Sequence, residues 1–204
     1  MAYPTVDKTY GFKPVNRLDG LPYAGAIRQI PIAPAYATAI LNGDTVQVNT
    51  SGYLIAKTAT ATGDSVGVLV GCQYVNSSGQ TVQGQYYPAA LSTSSAMAFG
   101  YVVDDPNALF RVVATNGQNT TPVAYDRTIV GSNVAISVNT GSTTTGDSYY
   151  GIDGTSANTT NTLPIRVVDV VPDTATGVAG NSATTYYEFL VKFNLHQYTD
   201  TTGI

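Results

Sequence analysis

Short apolar segments separated by turn residues place the strongest limit on what this chain can fold into. Each segment has the length of a β-strand, and no stretch of about 12 residues shows the 3.6-residue period of an amphipathic helix. Glycine, aspartate, asparagine and proline, which tight turns require, stand between the segments. The segments are 42–48, 51–57, 66–75, 98–103, 108–114, 133–138, 163–171 and 186–195. This spacing predicts an all-β fold, either an antiparallel β-barrel or a jelly-roll-like sandwich.

The segment 66–75 shows the clearest alternation of apolar residues. Because successive side chains of a β-strand point to opposite faces, one face should carry Val66, Val68, Val70, Cys72 and Tyr74. Gly67 and Gly71 then fall on the opposite face, where another group can approach the backbone closely.

Composition narrows the class of protein further. The 204 residues are 43% hydrophobic and carry a net charge of −4, which is too apolar and too weakly charged for a disordered chain. Only 11% of residues are charged, far below the roughly 25% of an ordinary soluble protein. No run approaches the ~20 apolar residues of a membrane span, so we expect no membrane contact. The N-terminus also lacks the basic and apolar blocks of a signal peptide, so we expect synthesis in a reducing cytoplasm.

The first 36 residues have a different character from the rest. Half of the ten prolines lie in the first 34 residues, and each favours an extended backbone. This segment carries four basic and two acidic residues, a net of +2, whereas the remainder has a net of −6. Four scattered positive charges form no patch, so we expect no nucleic-acid partner. We predict an extended N-terminal arm over 1–36 and a β-barrel or sandwich domain over 37–204, with long exposed loops at 139–162 and 173–185.

The arm allows two interpretations, which can hold for different parts of it. It can wrap its own domain, or it can lie on a neighbouring subunit, where an extended segment buries a large area. We favour an intermolecular role for at least part of the arm, and we expect a chain without residues 1–34 to keep a folded body. The residues expected to bind a partner are Tyr10, Phe12, Pro14, Arg17, Leu18, Tyr23, Arg28, Ile30, Ile32 and Tyr36.

Candidate catalytic residues are few, and each has a simpler explanation. Asp104 and Asp105 could hold a metal or act in acid–base chemistry, but with Pro106 they form an ordinary turn sequence. His196 follows the final strand and is expected at the surface or at a sheet edge. Cys72 is expected to be a small core residue rather than a nucleophile. One cysteine and one histidine cannot build a zinc site or an internal disulfide. The sequence also contains no glycine-rich phosphate loop and no nucleophile-elbow motif, so we predict no enzyme activity, no cofactor and no metal.

Paired tyrosines suggest an alternative function. Adjacent tyrosines occur at 86–87, 149–150 and 186–187, and one of each pair could stack on a sugar. Adjacent residues of a strand point to opposite faces, so the other tyrosine is expected in the core. A carbohydrate- or receptor-binding module of a virion fibre or adhesin is therefore the alternative prediction.

Three segments carry a resemblance to known proteins. The stretch "NGDTVQVNTSGYLIAKTATATGDSVGVLVGCQYV" (42–75) resembles the β-barrel segment of head decoration, or cement, proteins of tailed bacteriophages. The stretch from "TGDSYYGID" to "LPIRVVDVV" (145–171) resembles another segment of such proteins. The opening "TYGFKPVNRLDGLPYAGAIRQIPIA" (9–33) is similar to leaders of virion structural proteins from marine podophage-like genomes.

The resemblance implies a structural role in the virion. It implies a protein on the outer surface of the capsid that binds the major capsid protein and stabilises the shell. It also implies a homo-oligomer, with a trimer favoured over a dimer, and no catalytic residues or small-molecule substrate. The chain departs from small decoration proteins in size, because the loops predicted at 139–162 and 173–185 are additional.

Overall fold

Short strands joined by turns make up the described part of the chain. The computed structural model describes residues 6–23, 27–58, 63–89, 91, 97–176 and 185–200. The strands are β1 (Lys13–Arg17), β2 (Ile27–Ile32), β3 (Thr45–Val48), β4 (Leu54–Ala56), β5 (Gly67–Val75), β6 (Thr81–Gly84), β7 (Ala98–Val103), β8 (Ala108–Thr115), β9 (Tyr125–Asp126), β10 (Asn133–Ser137), β11 (Gly151–Asn158), β12 (Ile165–Val170), β13 (Ala175–Thr176), β14 (Thr185–Tyr186) and β15 (Glu188–Phe193). Helical structure among these residues is limited to single 3-10 turns at Arg127–Ile129 and Pro172–Thr174. No helix in the described ranges is long and apolar enough to cross a membrane.

The first barrel is a ring of five strands, β8, β11, β10, β12 and β15. The ring closes because β8 pairs with β15 along Phe110–Val113 and with β11 at Ala114–Thr115. Strand β1 pairs with the start of β8, outside the ring. The apolar side chains of the ring strands form a buried cluster that includes Phe110, Val112, Val134, Ile136, Ile152, Ile165, Val167, Phe189, Val191 and Phe193.

The second barrel is also a ring of five strands, β3, β4, β2, β7 and β5. It closes because β3 pairs with both β4 and β5, while β6 pairs with β5 alone. Its separate buried cluster includes Ile30, Ile32, Ile40, Val46, Leu54, Leu69, Cys72, Tyr87 and Val102. Two side chains from its strands, Val68 and Val103, belong instead to the cluster of the first barrel, so the two barrels pack against each other.

The prediction of an all-β barrel fold is confirmed, with two differences in detail. Two small rings form rather than one body, and the strands of the second ring lie in sequence between β1 and β8. Strands β13, β14 and β9 form a separate three-stranded sheet. The pairing is antiparallel except for β2 with β4 and β8 with β11, which are parallel.

A β-bulge changes the predicted facing of β5. The register of β5 against β7 shifts between Leu69 and Gly71, and an extra residue in a strand reverses the facing of the residues beyond it. Val68 therefore packs in the first cluster, whereas Cys72 and Tyr74 pack in or against the second. The bulge separates Val68 and Val70 from Cys72 and Tyr74, so the prediction that Val66, Val68, Val70, Cys72 and Tyr74 share one face is wrong. Val66 precedes β5 and packs in the second cluster.

Gly67 confirms the expected close approach to β5. A Cβ atom at this position would overlap the carbonyl oxygen of Val103 on the neighbouring strand. At Gly71 the same atom would meet only ordinary contacts, the nearest at 3.4 Å.

The N-terminal segment is part of both barrels, which corrects the predicted arm. Its residues form β1 beside β8 and β2 inside the second ring. Phe12 is fully buried, with its ring 6.4 Å from Phe110 and 6.4 Å from Phe193. No sheet boundary falls at residue 36. Deleting residues 1–34 would remove β2 and open the second ring, so the folded body expected of that truncation does not agree with this structure.

The first of the two predicted long loops is shorter than expected. Strand β11 occupies Gly151–Asn158 in the middle of the stretch 139–162, and Tyr150 and Ile152 are buried. The stretch 173–185 begins with a 3-10 turn and β13, while residues 177–184 lie outside the described ranges.

We predict that Phe12→Ala lowers the free energy of unfolding by about 3–5 kcal/mol, because the lost ring leaves a cavity in the first cluster. Leu18→Ala is the control within the same segment, since Leu18 is 48% exposed and its truncation should change stability by about 0.5 kcal/mol or less. Urea denaturation followed by circular dichroism measures both. Equal, small losses would show that the N-terminal segment does not pack as described.

Candidate functional site

Tyr10 is fixed to the first barrel by a buried carboxylate. Its hydroxyl donates to Oε1 of Glu188, which is 1% exposed. Arg111 donates from Nε to the same oxygen at 2.9 Å and from Nη2 to Oε2. Burial, reinforced by Glu188, raises the pKa of the Tyr10 phenol, so it remains a donor. Tyr10 therefore anchors the N-terminal segment to its own barrel, while its ring stays partly exposed and its role in binding a partner stays a prediction.

The two arginines of the N-terminal segment pair with the turn between β7 and β8. Arg17 Nε lies 2.9 Å from Oδ2 of Asp105, and Arg28 Nε lies 2.7 Å from Oδ2 of Asp104. The backbone N–H of Ala108 donates to the carbonyl of Asp105 at 3.0 Å, which confirms the turn interpretation of this sequence. Both arginines therefore have partners in their own chain rather than on another one.

The middle of the N-terminal segment presents apolar side chains to solvent. Leu18 is 48% exposed, Leu21 is 56% exposed and Ile27 is 46% exposed. Leu18 and Ile27 lie at opposite ends of the β7–β8 turn, because the N–H of Leu18 donates to the carbonyl of Asn107 and Ile27 pairs with Val103. The guanidinium of Arg28 lies 4.6 Å from the centre of the Tyr198 ring, which is also exposed. We call Leu18, Leu21, Ile27 and Tyr198 the leader patch.

The remaining residues predicted to bind a partner face inward or are partly covered. Phe12, Ile30 and Ile32 are buried in the clusters of their own chain, which corrects their expected role. Tyr23 packs against the first cluster. The Tyr36 hydroxyl accepts the N–H of Ala56 at 3.1 Å, and Pro14, in β1, is partly exposed. Of the predicted residues, Leu18 and Arg28 are the two that the structure leaves well exposed.

His196 lies inside the molecule, which corrects its expected surface position. It is 2% exposed, forms a β-bridge with Ser65 and packs 6.0 Å from the ring of Phe193. Its Nδ1 accepts the backbone N–H of Tyr198 at 3.2 Å. Burial lowers the pKa of His196, with Asp104 acting in the opposite sense. The imidazole is therefore a neutral packing residue at neutral pH.

Cys72 is a core residue, as predicted. Its side chain is fully buried, and its Sγ donates to the carbonyl of Tyr86 at 2.8 Å. Burial raises the pKa of the thiol to about 12, so the nucleophilic thiolate does not form at neutral pH.

Two of the three tyrosine pairs divide as expected between core and surface, whereas Tyr186 and Tyr187 are both half-buried. Tyr87 and Tyr150 are buried, and the Tyr150 hydroxyl donates to the carbonyl of Lys57 at 2.7 Å. Tyr149 is partly exposed, but Lys8 Nζ lies 3.7 Å from the centre of its ring. One face of the Tyr149 ring is thus occupied by the chain itself.

A cleft between the two barrels was not predicted from the sequence. It has a volume of about 410 Å³ and lies between residues 37–44 and 56–58 on one side and residues 138–143 with Tyr150 on the other. We call it the interbarrel cleft. Its lining residues are mostly small or polar, together with Leu41, Val138 and Tyr150. They come from distant parts of the chain, so no local pattern marks them. The "NGD" turn at 42–44 was the available signal, since its aspartate borders the cleft.

Asp44 is the buried ionisable residue of this cleft. It is 3% exposed; its Oδ2 accepts the N–H of Leu41 at 2.8 Å, and its Oδ1 forms no hydrogen bond of good geometry with the described residues. Burial raises the pKa of Asp44 to about 6, and the nearby Ser148, Leu41 N–H and Lys13 partly offset this rise. The carboxylate is therefore mostly ionised at neutral pH, and these neighbouring groups offset only part of the cost of burying its charge.

Comparisons with known proteins identify no relative. No protein-family model, curated protein or solved structure matches the chain. Within the described ranges, no group of three or more histidine, cysteine, aspartate or glutamate residues is placed to hold a metal ion.

We predict that Asp44 makes the protein less stable as the pH rises from about 4 to about 6. The folded protein holds this proton up to pH about 6, whereas the unfolded chain releases it near 3.8, so the free energy of unfolding falls by about 3 kcal/mol through this group. Asp44→Asn removes this contribution. Urea denaturation at several pH values should show the variant gaining stability relative to wild type over that interval. The control is Asp173→Asn, an exposed carboxylate elsewhere, and a constant difference for Asp44→Asn would contradict the prediction.

Proposed function

We propose that this chain is a structural protein of a tailed-phage virion that binds the outer surface of the capsid and stabilises the shell. One observation carries the proposal. Six large apolar side chains are exposed in the described residues, and four of them, Val15, Leu18, Leu21 and Ile27, lie in the N-terminal segment. Exposed apolar side chains grouped in one segment of the chain are typical of a protein–protein contact. The resemblance of 9–33 and 42–75 to virion proteins supports the major capsid protein as the partner.

The leader patch is held in place before a partner arrives. Phe12 and Tyr10 fix the segment on one side, and β2 fixes it on the other. A surface that is already ordered loses less conformational entropy on binding. The charges beside the patch are also paired, Arg17 with Asp105 and Arg28 with Asp104, so a partner need not desolvate isolated ions there.

An unpaired strand edge lies next to the leader patch. Strand β1 pairs with β8 on one side, and no described strand pairs with its other side. Val15 on β1 is 45% exposed. An extended segment of a capsid subunit can add to such an edge through backbone hydrogen bonds while its side chains contact the patch. The proposal includes a homo-oligomer, with a trimer favoured over a dimer, on the strength of the resemblance.

We predict that replacing Leu18, Leu21 and Ile27 together by serine weakens capsid binding about a hundredfold or more. Each replacement removes on the order of 1 kcal/mol of apolar burial from the contact, and together they approach 3 kcal/mol. Co-sedimentation with shells assembled from the major capsid protein of the same virus measures the affinity. Light scattering of the free protein gives its oligomeric state.

Met97→Ser is the matched control for this experiment. Met97 is 45% exposed but lies outside the N-terminal segment, so its replacement should leave the affinity within about twofold. Urea denaturation of the triple variant checks that its fold is intact. Capsid binding of the triple variant equal to that of wild type would place the contact elsewhere. A wild-type chain that does not sediment with shells would contradict the function itself.

A further inference from the structure

We propose that the interbarrel cleft binds a neutral saccharide. This inference concerns a different surface from the leader patch and does not depend on capsid binding. The cleft lies where two packed barrels meet, a common position for a small-molecule site. Its volume of about 410 Å³ is within the usual range of such sites.

The rim of the cleft offers hydroxyl groups without partners. Thr38 and Thr58 lie on the side of the second barrel, and Thr140 and Thr143 lie on the side of the first. All four are exposed, and their hydroxyls make no hydrogen bond with the described residues. A hydroxyl both donates and accepts, so the matching ligand carries several groups that also do both. A saccharide meets this requirement at successive ring positions.

An unsatisfied acceptor lies at the edge of the cleft. Asp44 borders the cleft, and its Oδ1, which is closed to water in this structure, forms no hydrogen bond of good geometry with the described residues. A buried polar atom without a partner is costly, so a small shift of the cleft wall that lets a ligand hydroxyl donate to Oδ1 would remove that cost. Lys13 is close enough to attract this carboxylate, so the site already has a countercharge from the chain. The ligand can therefore be neutral.

The other lining residues exclude the main competing ligands. No lysine or arginine lines the cleft, so a phosphate or another anion would meet only the carboxylate. A purely apolar ligand would leave Asp44 and the threonine hydroxyls without partners. Small apolar side chains such as Ala37, Ala39 and Ala56 cover part of the wall. They suit the C–H faces of a sugar ring, which lie between its hydroxyl groups.

The experiment is a nuclear magnetic resonance titration of the full chain. The probes are maltose, cellobiose, lactose and N,N′-diacetylchitobiose, added to the ¹⁵N-labelled protein. We expect at least one of them to shift backbone amides of 37–44 and 138–143 in a saturable way. The double variant Thr140→Val, Thr143→Val should weaken that binding about tenfold or more, because each lost hydrogen bond contributes roughly 1 kcal/mol. Thr50→Val, at an exposed threonine outside the cleft, should leave the affinity unchanged.

Three outcomes would overturn the inference. The first is that no neutral saccharide, among these probes or on a glycan array, binds the protein. The second is that a sugar binds but shifts amides elsewhere, for example around Tyr149, or binds the double variant as tightly as wild type. The third is that arginine methyl ester or spermidine shifts the cleft amides while neutral sugars do not, which would assign the site to cations. None of these results bears on sedimentation with capsid shells, so the two proposals fail independently.

Discussion

The burial of Phe12 against Phe110 and Phe193 is the contact on which the rest of the structure depends. It places the start of the chain in the first cluster, while the strand Ile27–Ile32, a few residues later, completes the second ring. One N-terminal segment thus belongs to both barrels. The aromatic ring excludes water from the first cluster, and the strand supplies backbone pairing to the second. Of the described residues between these two attachments, Leu18 and Leu21 expose their side chains at the surface.

Charge pairing beside the leader patch follows from the same arrangement. Fixing both ends of the segment brings Arg17 and Arg28 to the two carboxylates of the β7–β8 turn. Exposed ion pairs contribute little to stability. Their main effect is that the charges beside the leader patch are already paired. The neighbouring Leu18 and Ile27 remain exposed apolar groups beside these paired charges. The structure therefore combines an ordered backbone, paired charges and exposed apolar side chains in one place.

The interbarrel cleft has a different physical origin. Two rounded barrels that meet along part of their surfaces leave a space beside the contact, and Asp44 lies at its edge. A buried carboxylate with a raised pKa lowers stability at neutral pH. Such a cost is common at binding sites, where a ligand supplies the missing partner. The proposals for the cleft and for the leader patch thus rest on separate observations made on separate surfaces.

The sequence by itself determined the all-β class, most of the strands after residue 40, the turn at Asp104–Asp105 and the buried state of Cys72. These features depend on side-chain alternation and turn chemistry, which act between near neighbours in the chain. Only the tertiary structure decided the two rings, the bulge in β5, the strands on either side of the leader patch and the burial of His196. Each of these depends on pairing between distant residues, as when Lys13 meets Arg111. In the N-terminal segment, prolines and scattered apolar residues show no alternation of period two, so the sequence does not predict β1 and β2. These strands form because distant strands supply their hydrogen bonds and the core on which they pack.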